Sequence, residues 1–377
     1  MIKIPKDWEK KTLNDLGNLS KGSGISGKQM KSNGIPCIGY GDIYTKYDIK
    51  FCVSQNFTDE NAIKESVSIN KGTLLFTATG ETAEEIGKCV CYYGEEPIYV
   101  GGDIFILPVN DIDPFFVAYQ QNLFPFIKEK ARLGQGHSVV HIRSEDIKKL
   151  SVVYPKNLSE QKKITKILTK WDDAIELQEQ LIGKLELQKK ALMQELLKPK
   201  KYWKKYFLAE LVKINTGNKD VKDSNKDGIY PFFIRSEEIQ KINEYTFDGE
   251  GIFIPGDGKI GEILHYYEGK CSYHQRVYCL SNFKNCYGKY IYYYLRENFL
   301  KRALMFTAKA TVDSIRMEML TKMTIFLPST EAQKCIINIL TFADAKIDLH
   351  TQKLTLLKLQ RKSLMQHLLT GKTRVKP

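Results

Sequence analysis

Apolar residues recur at Ile164, Leu168, Trp171, Ile175, Ile182, Leu185, Leu192 and Leu196, in steps of three, four or seven that keep them on one helix face. The same spacing returns at Ile336, Leu340, Ala343, Ile347, Leu354, Leu357, Leu364 and Leu368, each 172 positions further on. Without gaps, 19 of the 37 positions in 161–197 are identical in 333–369. Two seam positions are polar in both copies, Gln178 with His350 and Lys189 with Arg361. Polar groups in an apolar seam lower stability and fix register and partner. The pattern predicts two long helices sharing one seam. Pro155 and Pro328 precede them, Ser159 and Thr330 are the expected N-caps, Gln333 completes a capping box with Thr330, and Pro199 and Gly371 mark the ends. The first helix leaves one region and enters the next, so a partner lying along it must run back. The pair is expected to be antiparallel, a rod about 55 Å long at roughly 1.5 Å per residue.

The remaining segments mix two periods. "GTLLFTATG", "DIFILPV", "EGIFIPGDG" and "QRVYCL" read as strands, while "FFVAYQQNLFPFIKEKA" and "GKYIYYYLRENFLKRAL" read as helices. The fold class is α+β, with boundaries at 1–155, 156–198, 199–328 and 329–377. A fainter repeat links the globular regions. Trp8, Leu13 and Leu16 match Trp203, Leu208 and Leu211 at an offset of 195, and Ile142 and Arg143 match Ile315 and Arg316 at an offset of 173. Their middles have diverged, as expected of two heads that read different things.

Composition narrows the class. Across 377 residues, 42% hydrophobic and 11% aromatic content argues for packed cores and against disorder. No apolar run is long enough for a bilayer, and the start, "MIKIPKDWEKK", lacks a signal peptide's apolar stretch, so a cytoplasmic protein without a membrane partner is expected. The eight cysteines are scattered, and Cys89 with Cys91 lacks a second pair, which favours buried thiols over a metal site. The net charge of +13 suggests a polyanionic partner. Its distribution is uneven: −1 over 1–155, +2 over 156–198, and +6 over each of 199–328 and 329–377. The first region can meet nucleic acid only through a local face.

Glu160-Gln161-Lys162-Lys163-Ile164 after Pro155, Glu331-Ala332-Gln333-Lys334 after Pro328, and the closing "LMQELL" and "LMQHLL", the latter followed by Gly371-Lys372-Thr373-Arg374, resemble the specificity subunits of type I restriction-modification systems. The second copy inserts Ala332 between the acid and the amide. The resemblance spans the chain. It implies two α/β target-recognition domains separated by two long conserved helices, packed as an antiparallel coiled coil in a pseudo-twofold internal repeat. It also implies a subunit without catalytic activity or cofactor that reads a bipartite site in double-stranded DNA. Such a subunit docks two methyltransferase subunits on its helices and meets restriction subunits through the complex.

The residues themselves offer little catalysis. Gly22, Gly27 and Lys28 fit a P-loop spacing, but Gln29 stands where a Ser or Thr would hold magnesium, so the loop reads better as a phosphate contact. Asp257, Glu268 and Lys270 have a loose nuclease spacing. Base edges need forked donors or amides on loops, and phosphates need cations, hydroxyls or backbone N–H groups. The candidates in the first region are Lys21, Ser23, Lys28, Thr77, Thr79, Gln135, His137 and Arg143. In the second they are Asn218, Lys219, Arg235, Lys259, His274, Gln275, Arg276 and Lys309. Tyr292, Tyr293 and Tyr294 are assigned to helix packing. The alternative function is a coiled-coil adaptor whose heads bind proteins without direct DNA readout.

Overall fold

A computed structural model describes residues 5–136, 138–307 and 314–375. The chain forms two compact units, one of residues up to Gln178 together with those from Lys353 onward, the other Glu179–Gln352. The two apolar stripes become helices of 39 residues each, Leu158–Leu196 and Thr330–Leu368, and each helix contributes a part to both units. Every seam residue named above is buried or half-buried, whereas Leu177, Leu187, Leu349 and Leu359 on the same helices are exposed. The helix starts differ from expectation. Asn157 caps the first helix, its Oδ1 accepting from Ser159 N at 2.8 Å. Ser329 caps the second, its Oγ accepting from Ala332 N at 3.3 Å. A side-chain oxygen just outside the first turn reaches its free N–H groups, which Ser159 and Thr330, already inside the helix, cannot.

In the first unit a ribbon closes the head. Strand Trp8–Thr12 runs antiparallel to Ser151–Pro155, with Trp8 opposite Pro155. The body is a five-stranded sheet in the order Ser20–Lys21, Ile104–Pro108, Thr73–Thr77, Cys89–Tyr92, Lys50–Phe51, beside a four-stranded sheet containing Ile35–Ile38 and Ile98–Val100. The helical run expected from Phe115 breaks into Pro114–Gln121 and Phe124–Leu133, because Pro125 cannot continue the ladder and instead starts the second helix. One core joins Trp8, Phe116 and Tyr119 of the head to Ile164, Leu168, Met365 and Leu368 of the two long helices.

The second unit repeats the frame around a different body. Lys204–Phe207 pairs antiparallel with Thr324–Leu327, and a single six-stranded sheet follows the order Lys213–Thr216, Val277–Ser281, Phe247–Pro255, His265–Tyr273, Tyr230–Phe233, Ile239–Ile242. Helix Gly288–Thr307 supplies Tyr290 and Tyr293 to a core shared with Met193, Leu197, Ile336 and Leu340. Tyr293 and Tyr294 are buried, so this tyrosine run serves packing.

The same polar ties fix both heads to their helices. Gln161 donates to the Pro155 carbonyl at 2.8 Å and accepts from Asp113 N at 2.8 Å; Gln333 donates to the Pro328 carbonyl at 3.2 Å and accepts from Tyr287 N at 3.1 Å. Gln333 therefore holds the head and forms no capping box. Further along, the Tyr119 hydroxyl donates to Asp172, which is ion-paired with Arg361. The Tyr293 hydroxyl donates to Asp344 at 2.6 Å, and Asp344 is ion-paired with Lys189. Among the further ties of the first unit is one made by Arg374. Buried Glu160 and exposed Asp7 both receive the Arg374 guanidinium. Position 332, which matches position 160, is alanine, and Glu331 beside it is exposed. The shifted acid of the second copy thus accompanies the absence of this tie among the described residues.

One buried cation lies in the first head. Lys130 is 1% exposed and donates to the Gly87 carbonyl at 2.6 Å, with Cys89 nearby, and burial pushes its pKa down to about 8. The unfolded chain holds this proton more tightly. Stability contributed here therefore rises with pH between about 8 and 10.5, and below that window the full cost of the buried charge is present. Lys130→Met keeps the volume and removes the charge, so it is expected to stabilise the chain by roughly 2 kcal/mol at pH 7. That advantage should shrink by pH 10, and denaturant midpoints at the two pH values measure it.

Candidate nucleic-acid interface

Stacked Phe233 and Phe253, their rings 4.3 Å apart and 6° from parallel, hold two strands of the second head together. Beyond them the chain turns at Gly256, whose N–H donates to the Arg276 carbonyl at 2.7 Å and whose carbonyl accepts from Ile315 N at 2.6 Å. This places Asp257 between two arginines. Its Oδ2 accepts from Arg235 Nη1 at 3.2 Å and from Arg276 Nη1 at 3.0 Å. The group lines a cleft of about 670 Å³ with Val221, Ile234, Ser236 and Gly258.

Other candidates gather beside it. His274 is 2% exposed, and its Nδ1 accepts from Arg276 N at 3.0 Å. Burial, and then the Arg235 charge, hold its pKa below the usual histidine value, which keeps Nδ1 free to accept. His274 therefore shapes the backbone under Arg276 and does not itself face a partner. Gln275 donates from Nε2 to Asp220 at 3.0 Å and from its backbone N–H to the Lys219 carbonyl at 2.9 Å. Lys219 is paired with Glu244 at 3.0 Å and Lys259 lies 3.9 Å from Glu237, while Asn218 is exposed. Lys309 and His137 lie outside the described residues.

In the first head the candidates form two smaller groups. Lys21 is paired with Asp103 at 3.1 Å, Ser23 donates to the Glu65 carbonyl, and Lys28 is exposed nearby in sequence. Thr77 is fully buried, and its hydroxyl accepts from Tyr44 at 2.6 Å, so it orients Tyr44 and offers nothing to a partner. Thr79 Oγ1 lies 3.0 Å from His141 Nδ1, and the His141 carbonyl accepts from Gln135 N at 2.9 Å. Arg143 bonds Asp146 at 3.2 Å while remaining largely exposed.

The Thr79 group of the first head and the Asp257 group of the second occupy one place in the shared frame. The Ala78 carbonyl accepts from Ile142 N at 3.0 Å, as the Gly256 carbonyl accepts from the matching Ile315. Thr79 pairs with His141 and Asp257 bridges to Ser314, so Thr79 and Asp257 correspond. Sequence reasoning missed Asp220, Tyr44 and His141. Only adjacency to Lys219 and Arg143 pointed toward Asp220 and His141.

Neither catalytic lead is assembled. Gly27–Gln29 is a single 3-10 turn in which Gln29 Oε1 accepts from Ser26, and it leads into no helix that would seat a phosphate. Glu268 lies opposite Glu250, about 17 Å of strand before Phe247–Pro255 ends, whereas Asp257 lies beyond that end.

Comparison with known proteins agrees with this architecture. The family model of the type I restriction modification DNA specificity domain matches residues 5–187 and again 200–359. The type I restriction enzyme EcoDI specificity subunit of Escherichia coli is 31% identical over 36% of this chain and 29% of its own. The MjaVIII specificity subunit of Methanocaldococcus jannaschii is 22% identical over 100% of this chain and 95% of its own. The crystal structure of a type I restriction-modification S subunit from M. genitalium superposes with a TM-score of 0.66 at 16% identity, over 97% of each chain.

The neutral His274 gives the second head a pH response. As pH falls through about 6.5 the unfolded chain takes up this proton before the fold does, so the stability it contributes is present above that value and lost below it. His265, also lowered by burial, acts in the same direction. In His274→Asn the amide oxygen accepts from Arg276 N without titrating. The variant is expected to lose less thermal midpoint than the parent between pH 7 and pH 5.5.

Proposed function

The chain belongs to the family of type I restriction modification DNA specificity domains, and on that premise we propose that it is the DNA-reading, non-catalytic subunit of a cytoplasmic type I restriction-modification complex. Its two heads, 1–155 and 199–328, are target-recognition domains that each read one half of a bipartite site in double-stranded DNA. The helices of 156–198 and 329–377 pair as an antiparallel coiled coil, relate the heads by a pseudo-twofold repeat, and set the unread gap between the half-sites. Two methyltransferase subunits dock on them, and restriction subunits join through the complex.

The observation that carries the reading is the family match over both heads, joined to the convergence of Arg235, Gln275 and Arg276 at one exposed edge of the second. The ion pairs Asp172 with Arg361 and Lys189 with Asp344 support the coiled coil, since each joins the two long helices at positions exchanged by the 172-residue repeat. Docking is supported by exposed leucines at repeat-matched positions, Leu177 with Leu349 and Leu187 with Leu359. Bare apolar groups in the same place on both helices suit two copies of one partner. The first head, with a net charge of −1, must meet phosphate through a local face.

Three measurements test it. With methyltransferase partners present, affinity for duplex DNA is expected to fall steeply and linearly in log–log form with salt, as counterion release demands. A flat response sinks DNA reading. Four residues inserted at both Gly183 and Thr355 lengthen each helix by about 6 Å, or nearly two base pairs. Methylation mapping on a random-spacer library should return the same half-sites with a gap longer by one or two base pairs, whereas an unchanged gap with activity retained leaves the helices as docking surfaces only. Leu177→Glu with Leu349→Glu should abolish co-elution with the methyltransferase while leaving the thermal midpoint of the isolated chain within a few degrees.

A further inference from the structure

We propose that Arg235 and Arg276, held by Asp257, are the specificity-determining residues of the second head and read guanine on one base pair or on two adjacent ones. The inference rests on the DNA-reading function proposed above and deepens it to a base.

A guanidinium fork suits two partners in DNA, a phosphate and the O6/N7 edge of guanine. Asp257 decides between them. Its carboxylate touches both arginines and is 16% exposed, against 44% for Arg235 and 65% for Arg276, so the acid lies deeper than the cations it joins. A phosphate entering here meets that negative charge, whereas the neutral guanine edge presents only acceptors to the guanidinium donors. Each arginine gives Nη1 to the acid and keeps further N–H donors in the plane of its fork. The acid thus orients both forks in advance, which removes the ordering cost that a free surface arginine bears on binding.

The support beneath is rigid. Arg276 is bonded at its own N–H, by His274, and at its own carbonyl, by Gly256. Because both Nη1 atoms bond one oxygen, they lie within about 6 Å of each other. Base pairs stack about 3.4 Å apart, so the two forks fall on the same or neighbouring pairs. The corresponding place in the first head holds Thr79 and His141 in place of an acid with two arginines, so this readout belongs to one half-site alone.

The test uses the chain assembled with its methyltransferase partners and maps the methylated sequence for the parent, Arg235→Ala, Arg276→Ala, Arg276→Lys and Asp257→Asn. In the parent, one half-site is expected to contain one G·C pair or two adjacent ones. Arg276→Ala and Arg276→Lys should both admit other bases there, with discrimination falling roughly ten- to a hundredfold, because lysine keeps the charge and loses the fork. Arg235→Ala should relax the same or the adjacent pair, and the other half-site should stay unchanged. Asp257→Asn should tighten binding to unrelated DNA and steepen its salt dependence. Arg276→Lys, with charge and fold kept, guards against a folding artefact. Parent-like motifs in all the arginine variants, a uniform loss of affinity without a change of motif, or a parent half-site without G·C overturns the inference while leaving DNA reading intact. A parent complex with no motif at all overturns the proposed function, and the inference with it.

Discussion

Asp172 and Asp344 each answer to three parts of the chain at once. Each accepts from a tyrosine hydroxyl of its head helix, sits on one long helix, and is ion-paired with a cation from the other. A carboxylate in such surroundings has lost much of its water. Burial raises the Asp172 pKa while Arg361 and the Tyr119 hydroxyl oppose the rise. The arrangement is stable only while all its members are present, because removing one leaves a desolvated charge uncompensated. The orientation of each head on its helices, and with it the direction in which the loop edge faces, depends on this local requirement.

The helices were legible because a period of three and four, repeated 172 positions later, needs no tertiary information. The role of their polar seam positions was less legible. Lys189 and Arg361 stand out as paired exceptions, but their partners are Asp344 and Asp172 respectively, one identical pair among many, and a linear repeat does not say which residues face each other. Gln161 and Gln333 were visible as repeated, yet an amide three residues into a helix suggests capping. Its actual acceptor contact is a backbone N–H some 46 to 48 residues away in sequence. The candidate base-reading residues share this limit. Arg235 and Arg276 were chosen for their chemistry, Asp257 was read as part of a catalytic spacing, and only the fold brings the three together. Thr77 failed for the opposite reason, since its strand is buried on both faces.

The two heads show how far a frame can be kept while its contents change. The ribbon, the tyrosine–aspartate tie and the buried glutamine recur, but two sheets of five and four strands stand in one head where a single sheet of six stands in the other. The backbone bond from Ile142 to Ala78, or from Ile315 to Gly256, fixes where the central strand must end. The residue just past that end is free to vary, as Thr79 and Asp257 do.

The Arg374 clamp has a consequence for how the two heads are secured. In the second unit the chain passes without a break from the end of the first helix at Leu196 to Trp203, so peptide bonds make the connection. In the first unit the corresponding link, from the end of the second helix to Trp8, is made through space, by the core that Trp8 shares with Met365 and Leu368 and by a guanidinium shared between Asp7 and Glu160. One junction is therefore covalent and indifferent to its medium, whereas the other includes an attraction that dissolved ions weaken. Ionic strength thus distinguishes two junctions that the repeat makes alike.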